Sequence, residues 1–201
     1  MISAIIPAAG QSKRMGRPKL LLPWGKTTVL GHIIDVLQTS EIDDIVVVTG
    51  GERARVEESI VDLRVRIAYN EDYANDNMLS SLQFGITAQL PGTQATLICL
   101  GDQPQVQERS VRLVCESFRK TNAPLVVPSY QMRRGHPWLI ARALWSDLLE
   151  MDSPQTPRDF LNAHASGIKY VEVDTPSVIQ DLDTPEDYLK FKPYRRSHQR
   201  K

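Results

Sequence analysis

Ile45-Val46-Val47-Val48-Thr49 carries no polar side chain until its last residue. A strand with one wet face alternates, so a run that is apolar throughout must be covered on both faces. Ile2 to Ile6, Val65 to Ala68, Ala95 to Leu100 and Pro124 to Pro128 are further short strand-like runs, and Trp138 to Ile140 and Ile168 to Val173 add two more. Longer stretches with helical spacing separate them: Val29 to Gln38, Glu52 to Val61, Met78 to Leu90, Glu108 to Lys120, Leu144 to Glu150, Pro157 to His164, and a last helix from Pro185. In Met78 to Leu90, the residues expected to face inward are Leu79, Leu82, Phe84 and Ile86. Strands alternating with helices predict an α/β fold, a single Rossmann-like three-layer domain with a mostly parallel sheet. Length agrees, since 201 residues suffice for one substantial core. No repeat or linker divides residues 1–193, and the basic stretch 194–201 is expected to be a frayed tail.

Composition narrows the function. Lys plus Arg and Asp plus Glu both number 24, so no global field favours nucleic acid or an anionic membrane. No apolar run approaches the ~20 residues needed to cross a bilayer, and Met1-Ile2-Ser3-Ala4 has no basic segment of a secretory signal. The two cysteines, Cys99 in a strand and Cys115 in a helix, read as buried thiols rather than a disulfide or zinc framework. The expectation is a cytoplasmic protein.

Any anion binding must therefore be local, and the first strand ends where it would be. After Ile6 come Pro7-Ala8-Ala9-Gly10, then Lys13, Arg14, Arg17 and Lys19 among Gly16 and Pro18. Glycine lets backbone approach a ligand, successive N–H groups form anion nests, and Arg and Lys add charge. Leaving the first strand of an α/β pattern, this loop suits a polyphosphate. Two familiar phosphate loops fail: Gly25-Lys26-Thr27 lacks the earlier glycine at position 20, which is Leu, and Gly10-Gln11-Ser12 does not start G-x-G-x-x-G. A nucleophile elbow would need glycine at 14, where Arg stands.

The pattern that does match is A-A-G-x-S-x-R-M-G-x-x-K from Ala8 to Lys19, followed by Leu20-Leu21-Leu22-Pro23. It resembles the signature of nucleotidyltransferases that activate sugar and pterin phosphates. Met78-Leu79-Ser80-Ser81-Leu82, within Asn70 to Gly85, resembles their base-side segment, and Leu100-Gly101-Asp102-Gln103-Pro104 their metal motif. Arg134-Gly135-His136-Pro137 and Asp181-Leu182-Asp183-Thr184-Pro185-Glu186-Asp187 are more specific. Together the five motifs resemble the MobA-like NTP transferase family, in its molybdenum cofactor cytidylyltransferase branch, with a nucleotide-diphospho-sugar transferase-like fold.

The resemblance implies Mg²⁺-dependent transfer of CMP from CTP to the phosphate of the molybdenum cofactor, with pyrophosphate leaving. The attacking phosphate is already a nucleophile, so catalysis needs positioning and charge neutralisation. Lys19, Arg14 and Asp102 are the implied catalytic residues. Ala8, Ala9, Gly10, Ser12, Arg14, Lys19, Ser80, Ser81 and Gly101 are implied at the nucleotide, with helix capping the alternative for the two serines. Asp102 and Asp183 would hold Mg²⁺, Asp181 competing with Asp183. Thr184-Pro185-Glu186-Asp187 is also a good helix start, so an acid before it has a structural reading too.

Arg134, Gly135, His136 and Arg158 are implied at the acceptor, with Gly135 letting backbone approach it and a structural turn the alternative. One departure concerns Arg158. The branch usually has a glycine-containing acidic turn before this Arg, and Asp152 to Asp159 has no glycine, its Thr156-Pro157 through Asp159 reading equally as a capping box. A sugar-phosphate acceptor, or a non-catalytic nucleotide-binding maturation factor, are the other readings. A molybdoenzyme or its chaperone stands open as a protein partner. Trp24 reads as a loop packing residue.

Overall fold

The computed structural model describes residues 1–10, 15–75 and 78–193. The calls on Ser12 and Arg14, and on the tail 194–201, lie outside the described residues. Its strands are β1 (Ile2–Ala8), β2 (Pro23–Trp24), β3 (Thr27–Thr28), β4 (Asp44–Thr49), β5 (Arg66–Tyr69), β6 (Ala95–Ile98), β7 (Leu125–Tyr130), β8 (Arg133–Arg134), β9 (Trp138–Ala141) and β10 (Ile168–Glu172). Its α-helices are α1 (Val29–Thr39), α2 (Arg53–Ser59), α3 (Met78–Thr87), α4 (Glu108–Thr121), α5 (Trp145–Leu149), α6 (Pro157–Ala163) and α7 (Pro185–Phe191). The expected helices and strands are present, with ends moved by one to three residues.

The main sheet runs β10-β7-β9-β6-β1-β4-β5, with β8 on β7. β1 pairs in parallel with β4 on one side and β6 on the other, so the strand order reverses across β1. β9 is antiparallel to both neighbours. The sequence pattern gave its direction no signal. The reason is distance along the chain: only residues 131–137 separate β7 from β9, too few for a parallel crossover. They reverse instead through Gln131 and Met132, both in the left-handed region (φ 48° and 65°).

Alternation within the central strands builds two cores. Ile2, Ala4, Ile6 and Ala8 of β1, with Ile45 and Val47 of β4, face α1 and α4. Ile5, Val46 and Val48 face α3, and the same core takes in Trp145 of α5 and Phe160 of α6. The sheet is covered on both faces, which is why its strands read as continuous apolar runs. Phe84 is only partly buried; Ser81 and Gly85 take the inward places beside Leu82 and Ile86. Small residues are needed there because α3 lies close on β1.

Gly85 reports that closeness. A Cβ at this position would stand 2.7–2.9 Å from three side-chain carbons of the buried Ile5. Glycine to alanine inside a helix normally stabilises by about 1 kcal/mol. Here overpacking of roughly 1–3 kcal/mol opposes it. Gly85→Ala should therefore lower the denaturant midpoint measured by circular dichroism; an unchanged or raised midpoint would show that α3 has room to move off β1.

Candidate active site

Three segments meet at the carboxyl edge of the sheet beside β1, where the strand order reverses. The first leaves β1. Ala8 and Ala9 are buried, and the Gly51 N–H donates to the Ala9 carbonyl at 3.3 Å. A Cβ on Gly50 would come within 2.6 Å of the Ala9 Cβ, so the glycine pair after β4 makes room for this loop. Gly10 is exposed, and no described atom crowds it. Further on, Leu20 is buried and anchors a 3₁₀ turn, Lys19–Leu21, which fixes the backbone that carries Lys19.

The second segment leaves β6. Cys99 N–H still donates to Ile5 O at 2.9 Å, then the chain turns at Gly101 and Asp102. A Cβ on Gly101 would lie 3.0 Å from the Pro7 carbonyl and 3.1 Å from Leu20, so glycine lets this turn press on the end of β1.

The third segment is the extended strap Asp181-Leu182-Asp183 before α7. Leu182 is fully buried, and its N–H donates to the Asp102 carbonyl at 2.9 Å. Leu182 lies in the core, and the aspartates on either side of it reach Gln103 and Lys19.

The outcome is one ammonium among carboxylates. Lys19 Nζ is 2.5 Å from Asp102 Oδ2 and 3.6 Å from Asp183 Oδ1. Asp181 is turned aside, accepting from Gln103 Nε2 at 2.6 Å. Partial burial holds the Asp181 carboxyl above its ordinary range; the charges of Asp102 and Asp183 add to this, while the Gln103 hydrogen bond and the Lys19 charge oppose it. Among the described residues, no three His, Cys, Asp or Glu side chains converge in a metal-binding arrangement. Two carboxylates and no soft donor suit Mg²⁺, which completes its octahedron with phosphate and water oxygens. Asp183 rather than Asp181 is the second carboxylate at Lys19, which bears on the choice left open by spacing.

The base-side segment is held by a residue the motif reading passed over. Asn70 is fully buried; its Nδ2 donates to Ser80 Oγ and Ser81 Oγ, both at 3.0 Å, and its Oδ1 accepts from Asp72 N–H at 2.9 Å. Both serines lie inside α3 rather than at a cap position. Asn70 follows a strand just as Asp102 does, and that placement was the available signal. Gln103 was likewise quoted within its motif without a role.

Arg134, Gly135 and His136 lie at the same edge, because Ile98 faces Trp138 in the β6–β9 register. Arg134 donates to Tyr170 Oη at 2.8 Å and Asn162 Oδ1 at 2.9 Å, tying β8 to β10 and α6. The crowding at Gly135 comes from the chain itself: a Cβ would lie 2.4 Å from the Val178 carbonyl. His136 N–H donates to that carbonyl at 2.8 Å, and its ring centroid is 6.3 Å from that of Trp138. Arg158 is exposed on the first turn of α6, where Thr156 and Asp159 form the capping box. Of the four acceptor-side residues, three are contiguous at the edge and Arg158 stands apart on the helix.

Other expectations concern packing. Cys99 and Cys115 are buried free thiols, pushed up by burial to about 12 and about 11. Trp24 is buried against Tyr188 of α7, whose hydroxyl donates to the Pro23 carbonyl at 2.7 Å. No helix among the described residues is long and apolar enough to cross a membrane.

Residues 4–168 match the family described as MobA-like NTP transferase domain. The molybdenum cofactor cytidylyltransferase of Escherichia coli K12 is 30% identical over 198 residues, 95% of each chain. A probable molybdenum cofactor guanylyltransferase of Thermococcus sibiricus is 26% identical over 148 residues, 73% of this chain and 70% of that one. Among solved structures, Rv0371c of Mycobacterium tuberculosis H37Rv superposes with a TM-score of 0.82 at 27% identity, covering 94% of this chain and 95% of its own. The same protein in complex with manganese gives a TM-score of 0.76 at 26% identity, covering 94% and 96%.

Burial pushes the His136 imidazole down from 6.5 to about 4. Its folded pKa lies below its unfolded one, so between pH 6.5 and 4 the unfolded chain binds a proton that the folded chain refuses. Stability is lost as pH falls through that window, by at most roughly 3 kcal/mol from this group. Comparing denaturant midpoints at pH 7.5 and pH 5, His136→Gln should lose less than the parent. Equal losses would show that His136 titrates normally in the fold.

Proposed function

The chain belongs to the MobA-like NTP transferase family, and from that premise we propose that it transfers CMP from CTP to the phosphate of the molybdenum cofactor, releasing pyrophosphate in a Mg²⁺-dependent reaction. The observation that carries the reading is Lys19 between Asp102 and Asp183 at the reversal of the sheet, where α/β folds bind nucleotides. The E. coli relative, matched over nearly its whole length, supports the choice of nucleotide and acceptor.

Asp102 and Asp183 would hold Mg²⁺, which when bound offsets charge on the phosphates. Lys19 binds and orients the triphosphate beside them, with Arg14 and the Ala8-Ala9-Gly10 backbone as further contacts. Asp102 sits on a turn pinned to β1, so its carboxylate is oriented before substrate arrives, and little reorganisation remains for the chemical step. Ser80, held by Asn70, faces the base. The acceptor enters from the Arg134–His136 side. His136, neutral near pH 7, serves it as a hydrogen-bonding partner for a polar heteroatom rather than as a cation. The role is that of an intracellular biosynthetic enzyme in the cytoplasm, with small-molecule substrates.

The decisive assay mixes α-³²P-CTP, Mg²⁺ and a molybdenum cofactor source, and follows labelled cofactor and pyrophosphate. Product without pyrophosphate, or pyrophosphate only with a sugar phosphate as acceptor, overturns the proposal; CTP binding with no turnover on any acceptor makes the chain a nucleotide-binding maturation factor. Asp102→Ala should fold and lose nearly all turnover, since a metal clamp supplies several kcal/mol of transition-state stabilisation. Near-normal turnover at saturating Mg²⁺ removes Asp102 from the mechanism.

Lys19→Ala should lower kcat more than it raises KM for CTP, because charge redistributes at the α-phosphorus only in the transition state. A rise in KM alone would make Lys19 a ground-state tether. CTP should be preferred over GTP. The guanylyl branch typically reads Ala-Gly-Gly where this chain has Ala8-Ala9-Gly10, and the added methyl, packed against Gly50, would narrow the loop's approach to a purine. Packing of this kind discriminates by ~1–3 kcal/mol. Comparable kcat/KM for both nucleotides would refute it.

A further inference from the structure

We propose that Gln103 is a positioning residue for the metal carboxylate Asp183, acting through Asp181. The inference rests on the Mg²⁺-dependent reading above and adds to it what sets the second carboxylate in place.

Asp183 belongs to no regular element: it sits on the strap, two residues before α7. Something must hold the strap in register against the Asp102 turn. The Leu182 N–H bond to the Asp102 carbonyl supplies one fixed point. That bond and the buried Leu182 side chain hold the middle of the strap and leave the directions of its two carboxylates to their own partners.

Gln103 supplies the second point. It directly follows Asp102 and is only 3% exposed, and its Nε2 bonds Asp181 Oδ1 at 2.6 Å. The two bonds join adjacent residues of the turn, 102 and 103, to adjacent residues of the strap, 182 and 181. Asp181 is thereby held toward Gln103, and the strap carboxylate beside Lys19 is Asp183.

The chemistry at Gln103 favours this role over simple packing. Its Oε1 is buried with no hydrogen-bond partner among the described residues. A buried amide left half satisfied is costly, and a leucine would fill the space without that cost. What a leucine lacks is the donor to Asp181. Three carboxylates also crowd this edge, and an amide donor draws one of them aside where a carboxylate at position 103 would repel it. The strap then offers the cation one aspartate with defined geometry instead of two competing ones.

The test measures Mn²⁺ binding to the full chain by electron paramagnetic resonance, with saturating α,β-methylene CTP. Outer residues that orient metal ligands typically contribute 10–100-fold to metal affinity, so Gln103→Leu should weaken Mn²⁺ by about that factor. Affinity for the CTP analogue without metal should stay at the parent value. Asp181→Asn keeps an acceptor oxygen for Gln103 and should bind Mn²⁺ like the parent. Asp181→Ala should match Gln103→Leu, and the double variant should be no worse than either. Because Asp181 is only partly covered, Asp181→Ala carries the test even if Gln103→Leu fails to fold.

Parental Mn²⁺ affinity in Gln103→Leu or in Asp181→Ala, or additive losses in the double variant, overturns the proposal. Asp183→Asn is the control for the underlying reading. If it binds Mn²⁺ as tightly as the parent, the metal assignment has failed; if it weakens Mn²⁺ while Gln103→Leu does not, only the positioning role has failed.

Discussion

β1 is hydrogen-bonded in parallel on both sides, to β4 along Ser3–Ala8 and to β6 along Ile2–Ile5, and the rest of the molecule is arranged around that double pairing. A strand flanked in this way ends in a crevice, because the connections on its two sides depart in opposite directions. Ala9, the residue after β1, is buried at that crevice. The turn after β6 closes it from one side, and the Gly50-Gly51 turn after β4 supports it from the other. Each contact needs backbone to approach backbone, and glycine stands where a Cβ would block the approach: Gly50 against Ala9, Gly101 against Pro7.

Charge is handled as economically as space. Three aspartates would repel one another at this edge if left alone. Lys19 bridges two of them and Gln103 takes the third, so the cluster is arranged before any phosphate arrives. Lys19 owes its place to the buried Leu20 beside it. The hairpin that follows is gripped by α7 through Tyr188 and Pro23. α7 is thus tied at one end to the carboxylate strap and along its side to the continuation of the basic loop. The aspartate strap and the segment that follows Lys19 are connected through one short helix with a capping box, Thr184 to Asp187.

The same tertiary logic alters what individual motif residues do. Gly135 was expected to open space for a ligand, and its space is filled by Val178. Arg134 was expected at an acceptor phosphate, and it holds Tyr170 and Asn162. Neither contact was legible, because Val178, Tyr170 and Asn162 carry no pattern linking them to positions 134 and 135. Asn70 and Gln103 were in plain view within their motifs. Their importance came from burial and from their partners, Ser81 for Asn70 and the distant Asp181 for Gln103, which spacing does not reveal.

By itself, the sequence determined the layers and where the candidate site would lie. Runs such as Ile45 to Val48 have no wet face, so they had to be central strands covered by helices. Ala8 to Lys19 and Gly101 to Pro104 each follow such a run, so they had to lie at the ligand-binding edge. These are local properties, readable from period and composition. Only the tertiary structure decided that Asp183 rather than Asp181 meets Lys19 and that Gln103 reaches Asp181. Both depend on the register of segments far apart in the chain, Gln103 and Asp181 being 78 residues apart. Register is set by which side chains fit together once the chain has closed on itself, and neighbouring residues in the sequence carry no record of it.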